Sequence, residues 1–304
     1  MDQRPLSTLV CAVTPFGADG CIDTAATRSL LDRFGQAGVG TYVGGSSPGE
    51  GYALTLTETE QLFGICLQEM AGRAPVRAMG IEPRTVGELL DRLAIASSVG
   101  LDGAQIYSLD CGHGNRPTPA EMERYYRTVL ETVDLPMTLS SHMAAGYLLP
   151  LDLIATLLAE YPHLVGVNCT TFDVGYLTRL LDVCRGRADV HVGGPTQALQ
   201  ALSLGAQGFL SADGNLAPQL CASVIRHFAA GDTAALHASH RQLIGLFRIN
   251  AWGGSMRWLK AAMEILGLGG HHLRSPYVSL DATATESIRR QLAALDIPEL
   301  GLGA

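Results

Sequence analysis

Between residues 76 and 139 the chain reads Val76-Arg-Ala-Met79, an amphipathic stretch from Val86 to Ser98, Ala104-Gln-Ile-Tyr107, a second amphipathic stretch from Pro119 to Val133, and Pro136-Met-Thr-Leu139. Short apolar runs separated by about a dozen residues of helical period are the pattern of β-α-β units, whose strands pair in parallel. The second helical stretch carries its own start signal, Thr118-Pro-Ala-Glu121: a hydroxyl at the cap, proline at the first helical position, and glutamate three residues after the cap. The rhythm extends in both directions. Toward the N-terminus lie the runs Leu9-Val-Cys-Ala-Val13 and Thr41-Tyr-Val43, with helical patterns over Ala25 to Ala37 and Thr57 to Ala71; the latter opens on a Thr57-Glu-Thr-Glu60 capping box. Toward the C-terminus lie Leu164-Val-Gly-Val167, Val190-His-Val192 and Gly208-Phe-Leu210. Eight strand–helix pairs predict an α/β chain folded as a (β/α)8 TIM barrel over residues 1–225, with an open doubly wound sheet as the alternative. Three further helical stretches, Thr233 to Asn250, Met256 to Leu266 and Thr283 to Leu295, predict a C-terminal helical extension over residues 226–304, packed on the barrel.

Bulk composition narrows the function classes. A chain of 304 residues with 47% hydrophobic content can bury roughly 75% of its unfolded surface and needs no disulfide staples. A net charge of −8 and the lack of any basic run argue against a nucleic-acid partner. No apolar run reaches the roughly 18 residues of a membrane span, and Met1-Asp-Gln-Arg-Pro-Leu-Ser7 lacks a secretory pattern, so a cytoplasmic protein without membrane contact is expected. The seven cysteines are odd in number, scattered and without a CxxC pair, which reads as reduced thiols packed as small hydrophobes. Of 21 basic residues (Lys plus Arg) a single one, Lys260, is lysine.

Five segments carry a resemblance. They are Ala12-Val-Thr-Pro-Phe16, Gly45-Ser-Ser-Pro-Gly-Glu50, Gly51-Tyr-Ala-Leu-Thr55, Leu149-Pro150, and Lys260-Ala-Ala-Met-Glu-Ile-Leu-Gly-Leu268. In order and spacing the chain resembles the dihydrodipicolinate synthase / N-acetylneuraminate lyase family of class I aldolases over about residues 7 to 295. The resemblance implies a barrel with a helical extension, a homotetramer or homodimer, and carbon–carbon bond chemistry on 2-oxo acids, most often pyruvate, with no cofactor. It also implies a Schiff-base lysine at the end of strand six, where this chain has Asn168 followed by Cys169. The family's proton-shuttling tyrosine on strand five corresponds to Ser140. A second relay tyrosine is missing near Leu109 and Asp110, and an arginine is missing from His142-Met-Ala-Ala-Gly146. The carboxylate-binding loop after strand two keeps hydroxyls at Ser46 and Ser47 but has one extra residue, Pro48. Glu50 matches a family glutamate and is expected to be structural, and Lys260 corresponds to a helix lysine expected to be solvated.

Barrel active sites lie at the C-terminal strand ends. Read there, the chain offers Asn168, His142, Asp110 and Ser140 as candidate catalytic groups. Ser46, Ser47, Tyr107, Cys169, Gly194 and Ser211 are the candidate substrate-binding residues. An imidazole with nearby carboxylates can run acid–base chemistry, and an asparagine amide can donate to a developing oxyanion. The expectation is a lyase-like enzyme without Schiff-base chemistry, acting on a small or medium carbonyl or 2-oxo acid compound by aldol or retro-aldol cleavage, dehydration or cyclisation. A ligand-binding relative without activity is the alternative. Two further readings stay open: a Cys169 nucleophile with His142 as base, and a metal held by Asp110, Cys111, His113 and His142.

Overall fold

The computed structural model describes residues 4–253 and 255–302. Eight parallel strands close on themselves in sequence order. They are β1 (Ser7–Cys11), β2 (Gly40–Val43), β3 (Val76–Ala78), β4 (Gly103–Ile106), β5 (Met137–His142), β6 (Leu164–Thr170), β7 (Asp189–Gly193) and β8 (Gly208–Ser211). A helix follows each: α1 (Thr24–Ala37), α2 (Leu56–Met70), α3 (Val86–Val99), α4 (Pro119–Thr132), α5 (Leu151–Glu160), α6 (Val174–Cys184), α7 (Ala198–Leu204) and α8 (Pro218–Ala230). The (β/α)8 barrel is therefore as the sequence predicts. The boundary expected at residues 225/226 falls inside α8, which continues to Ala230.

Local signals account for the helix ends. Thr118 and Glu121 form the predicted reciprocal capping box on α4, with Pro119 at the first helical position. The α2 box uses Thr55 and Glu58 rather than Thr57 and Glu60, so that helix starts at Leu56; a Thr-x-x-Glu repeat two residues apart offers both registers, and the earlier one is taken. Gly38, Gly100, Gly205 and Gly231 end α1, α3, α7 and α8 in the left-handed conformation that glycine adopts without steric cost.

Strand periodicity divides the core in two. Leu9, Cys11, Tyr42, Met79, Tyr107 and Leu210 pack together in the barrel interior. Val10, Val43, Ile106, Leu139, Val167 and Phe209 pack outward against the helices. Beyond the barrel come α9 (Thr233–Gly253), α10 (Ser255–Ile265) and α11 (Ala282–Ala293), which form the predicted extension. The tail returns to the barrel: Glu299 accepts the N–H groups of Gln219 and Leu220 at 2.9 and 3.0 Å, at the open N-terminus of α8. Among the described residues no helix is long and apolar enough to cross a membrane.

Lys260 corrects the sequence reading. It is not solvated: its side chain is 1% exposed. Its ammonium donates to the carbonyls of Thr14 (2.7 Å) and His272 (2.8 Å) and lies 2.9 Å from Glu50 Oε1. It also sits over the Phe16 ring, which carries the Arg274 guanidinium as well. The one lysine thus ties α10 to the loops after β1 and β2. Glu50 is fully buried and is held by Lys260 and by the Arg274 backbone N–H, as expected of a structural carboxylate.

Candidate active site

A cavity of about 470 Å³ opens at the C-terminal mouth of the barrel. Its wall is set by strand pairing. Ser140 on β5 lies opposite Asn168 on β6, and His142 lies opposite Thr170 one layer higher; all four line the cavity. Gly193 on β7 leaves room for this layer, since a Cβ there would stand 2.0 Å from Thr170 Oγ1.

Asn168 faces inward and is 7% exposed. Its Nδ2 donates to Gln105 Oε1 on β4, and Gln105 in turn hydrogen-bonds the Tyr107 hydroxyl, whose pKa burial drives upward. Asn168 Oδ1 is left without a partner. The oxygen is a free hydrogen-bond acceptor, and Nδ2 carries a second N–H beyond the one given to Gln105.

His142 lines the cavity, but its Nδ1 is turned back to its own loop and accepts the N–H groups of Ala144 (3.1 Å) and Ala145 (2.8 Å). Those two donors place the ring proton on Nε2. Protonating Nδ1 would break both bonds, and burial already holds the imidazole below its ordinary pKa. His142 is thus arranged to donate from Nε2 rather than to accept a proton.

Asp213, in the turn after β8, also lines the cavity and is 1% exposed. Ser211 Oγ donates to its Oδ2 at 3.0 Å and accepts its backbone N–H at 3.1 Å, which fixes the carboxyl. Oδ1 has no partner. Burial raises the carboxyl to about 7; burial, and after it the nearby Asp213, push the Cys11 thiol up to about 12. A second carboxylate, Glu82, lines the cavity after β3 and accepts from Ser46 Oγ.

The other sequence candidates divide. Ser47, Tyr107 and Gly194 line the cavity. Ser46 stands behind the wall on Glu82, and Ser211 is spent on Asp213. Cys169 is overturned as a substrate contact. Side chains alternate along β6, so Cys169 packs outward beside Cys184 of α6, fully buried, with its thiol pushed up to about 12. Asp110 lies outside the cavity, in a neighbouring surface cleft with Arg84, Arg116 and Arg124, where its Oδ1 caps the N–H of Gly112 at 2.9 Å. The metal reading fails with it, because among the described residues no three His, Cys, Asp or Glu side chains are grouped to hold an ion. Sequence reasoning missed Glu82 and Gln105. The available signals were a carboxylate just past the β3 run and a lone polar residue inside the apolar run of β4.

A closed barrel with a largely apolar cavity at its C-terminal mouth, set with a few polar strand-end groups, has the architecture of the (β/α)8-barrel enzymes. Residues 5–295 match the Dihydrodipicolinate synthetase family, and the chain belongs to that family of lyases. It is 31% identical to the 4-hydroxy-tetrahydrodipicolinate synthase of Hyphomonas neptunium over 288 residues, covering 92% of this chain and 95% of the relative. It is 30% identical to the enzyme of the same name from Methanoculleus marisnigri, over 93% of this chain and 97% of the relative. Dihydrodipicolinate synthase from Aquifex aeolicus has the same fold, with a TM-score of 0.87 at 24% identity over 96% of this chain and 99% of that one.

Proposed function

We propose that the chain is a lyase-like member of its family that works without a Schiff base, binding a small or medium carbonyl compound in the barrel cavity and transforming it by non-covalent acid–base catalysis. One observation carries this reading: the only amine side chain in the sequence is bound outside the cavity by three oxygen partners. A Schiff base needs a primary amine that is free and can lose its proton. Moving Lys260 into the cavity would break its hydrogen bonds and strand a buried Glu50 carboxylate, and Asn168 supplies an amide nitrogen that is not nucleophilic. Among the cavity groups, His142 Nε2–H and the Ser140 hydroxyl are two of the donors that could meet a carbonyl oxygen. Asn168 Oδ1 is an acceptor for a hydroxyl or amine of the substrate.

The test is turnover. A panel of β-hydroxy carbonyl compounds, assayed for aldehyde release and for water loss, should include one that the protein converts. Asn168→Ala should lower that rate by about tenfold or more, the effect of losing one hydrogen bond of ordinary strength in the transition state. Equal rates in the two proteins contradict the role of Asn168. Binding across the panel without any conversion contradicts the enzymatic reading.

A further inference from the structure

The charges around the cavity are one-sided. Two carboxyl groups, Asp213 and Glu82, line it, and among the described residues no lysine or arginine does. The residues whose side chains are not described, 1–3, 250–255 and 303–304, include no lysine, arginine or histidine. The only imidazole in the wall, His142, is held neutral by burial and by the two N–H donors on its Nδ1.

Unmet hydrogen bonding points the same way. The lining side chains with a buried, unpartnered polar atom are Asn168 and Asp213, and in both that atom is an acceptor oxygen. Buried acceptors left without protein donors are costly unless water or a ligand supplies them. An anion brought to this wall would face two carboxyls and no counter-charge. A ligand with N–H or O–H donors satisfies both oxygens, and a cation does so with a gain in charge. The lining adds apolar surface: Phe172 (76% exposed) and half-buried Phe247, with Met79, Leu210 and Pro48. Aromatic side chains in a cavity lining suit an apolar or aromatic body, and aromatic faces attract cations as well.

We propose that the cavity takes a carbonyl compound that carries a protonated amine and an apolar or aromatic group, not a 2-oxo acid anion, with the amine held by Asp213 and a second N–H or O–H received by Asn168 Oδ1. The proposal rests on the non-covalent reading above, since an enzyme amine in the cavity would reverse the charge argument. Asn168 on β6 and Asp213 after β8 stand on either side of β7, and the cavity of about 470 Å³ leaves room for a ligand larger than pyruvate that reaches both.

The test uses two probes with one phenylethyl skeleton and opposite charges, phenethylamine and hydrocinnamate. Titration calorimetry on the full chain, at a pH of about 8 where Asp213 is ionised, compares them. The amine should bind at least tenfold more tightly than the carboxylate, and Asp213→Asn should abolish that preference while the far-ultraviolet circular dichroism stays unchanged. Amine binding by the wild-type protein should also weaken as the pH falls below about 7, where Asp213 takes up a proton, a readout that does not depend on the variant folding. Equal or tighter binding of hydrocinnamate, an amine affinity unchanged in Asp213→Asn, or no binding of either probe at millimolar concentration each overturns the proposal. Borohydride trapping with pyruvate separates the two levels. An adduct removes the non-covalent reading whatever the calorimetry shows, whereas no adduct with no amine preference overturns this proposal alone.

Discussion

Two buried polar centres in this barrel are built in opposite ways. At the junction of barrel and extension, the Lys260 ammonium has the Thr14 and His272 carbonyls and the Glu50 carboxylate around it, and Glu50 is held in turn by the Arg274 backbone. At the mouth of the barrel, Asn168 and Asp213 are also buried, yet each keeps one oxygen with neither a hydrogen bond nor an ion pair, whereas Glu50 Oε1, which has no hydrogen bond, is met by the Lys260 ammonium. A polar cluster that satisfies itself holds structure together. A cluster left open toward a cavity stores unmet hydrogen bonding that a ligand can supply. The contrast puts the stability role on Lys260 and the chemical role on the strand ends of β6 and β8.

The largest effect should come from breaking the closed centre. Lys260→Met leaves the Glu50 carboxylate buried without its counter-charge and should cost about 3–5 kcal/mol in urea unfolding. Lys260→Met combined with Glu50→Gln should recover part of that loss, because no buried charge is then stranded. Next comes the open centre's carboxyl. Asp213 titrates at about 7 when folded against an ordinary 3.8. Between about pH 4 and 7 the folded chain binds a proton that the unfolded chain has released, so stability falls as pH rises through that window. Asp213→Asn should flatten this slope, which amounts to at most about 4 kcal/mol, read from melting temperatures at the two ends of the window. Asn168→Ala removes the donor to buried Gln105 Oε1 and should cost about 1–3 kcal/mol in unfolding. Smallest of all, Asp110→Ala touches only a surface turn. It should change stability by no more than about 0.5 kcal/mol and leave ligand binding in the cavity unchanged, which binding isotherms of the two proteins check.

The fold was legible because strand and helix periods are local. The β4–α4–β5 stretch announces itself through Ala104 to Leu139, and the cap at Thr118 is where the sequence puts it. The site was legible only in part. Strand alternation would have separated Asn168 from Cys169, since neighbours on one strand face opposite ways. Tying His142 Nδ1 to the amides of Ala144 and Ala145 needs the loop's course, which no spacing reveals. Lys260 was hidden most deeply. A charged residue on an amphipathic helix ordinarily faces water, and its partner carbonyl at Thr14 is 246 residues away.

The most direct test of the whole account is borohydride reduction of the wild-type protein in the presence of pyruvate, followed by intact-mass and peptide mass spectrometry. The account predicts an unmodified chain, because the one amine side chain is locked against Glu50. A reduced pyruvyl adduct on Lys260 would contradict it.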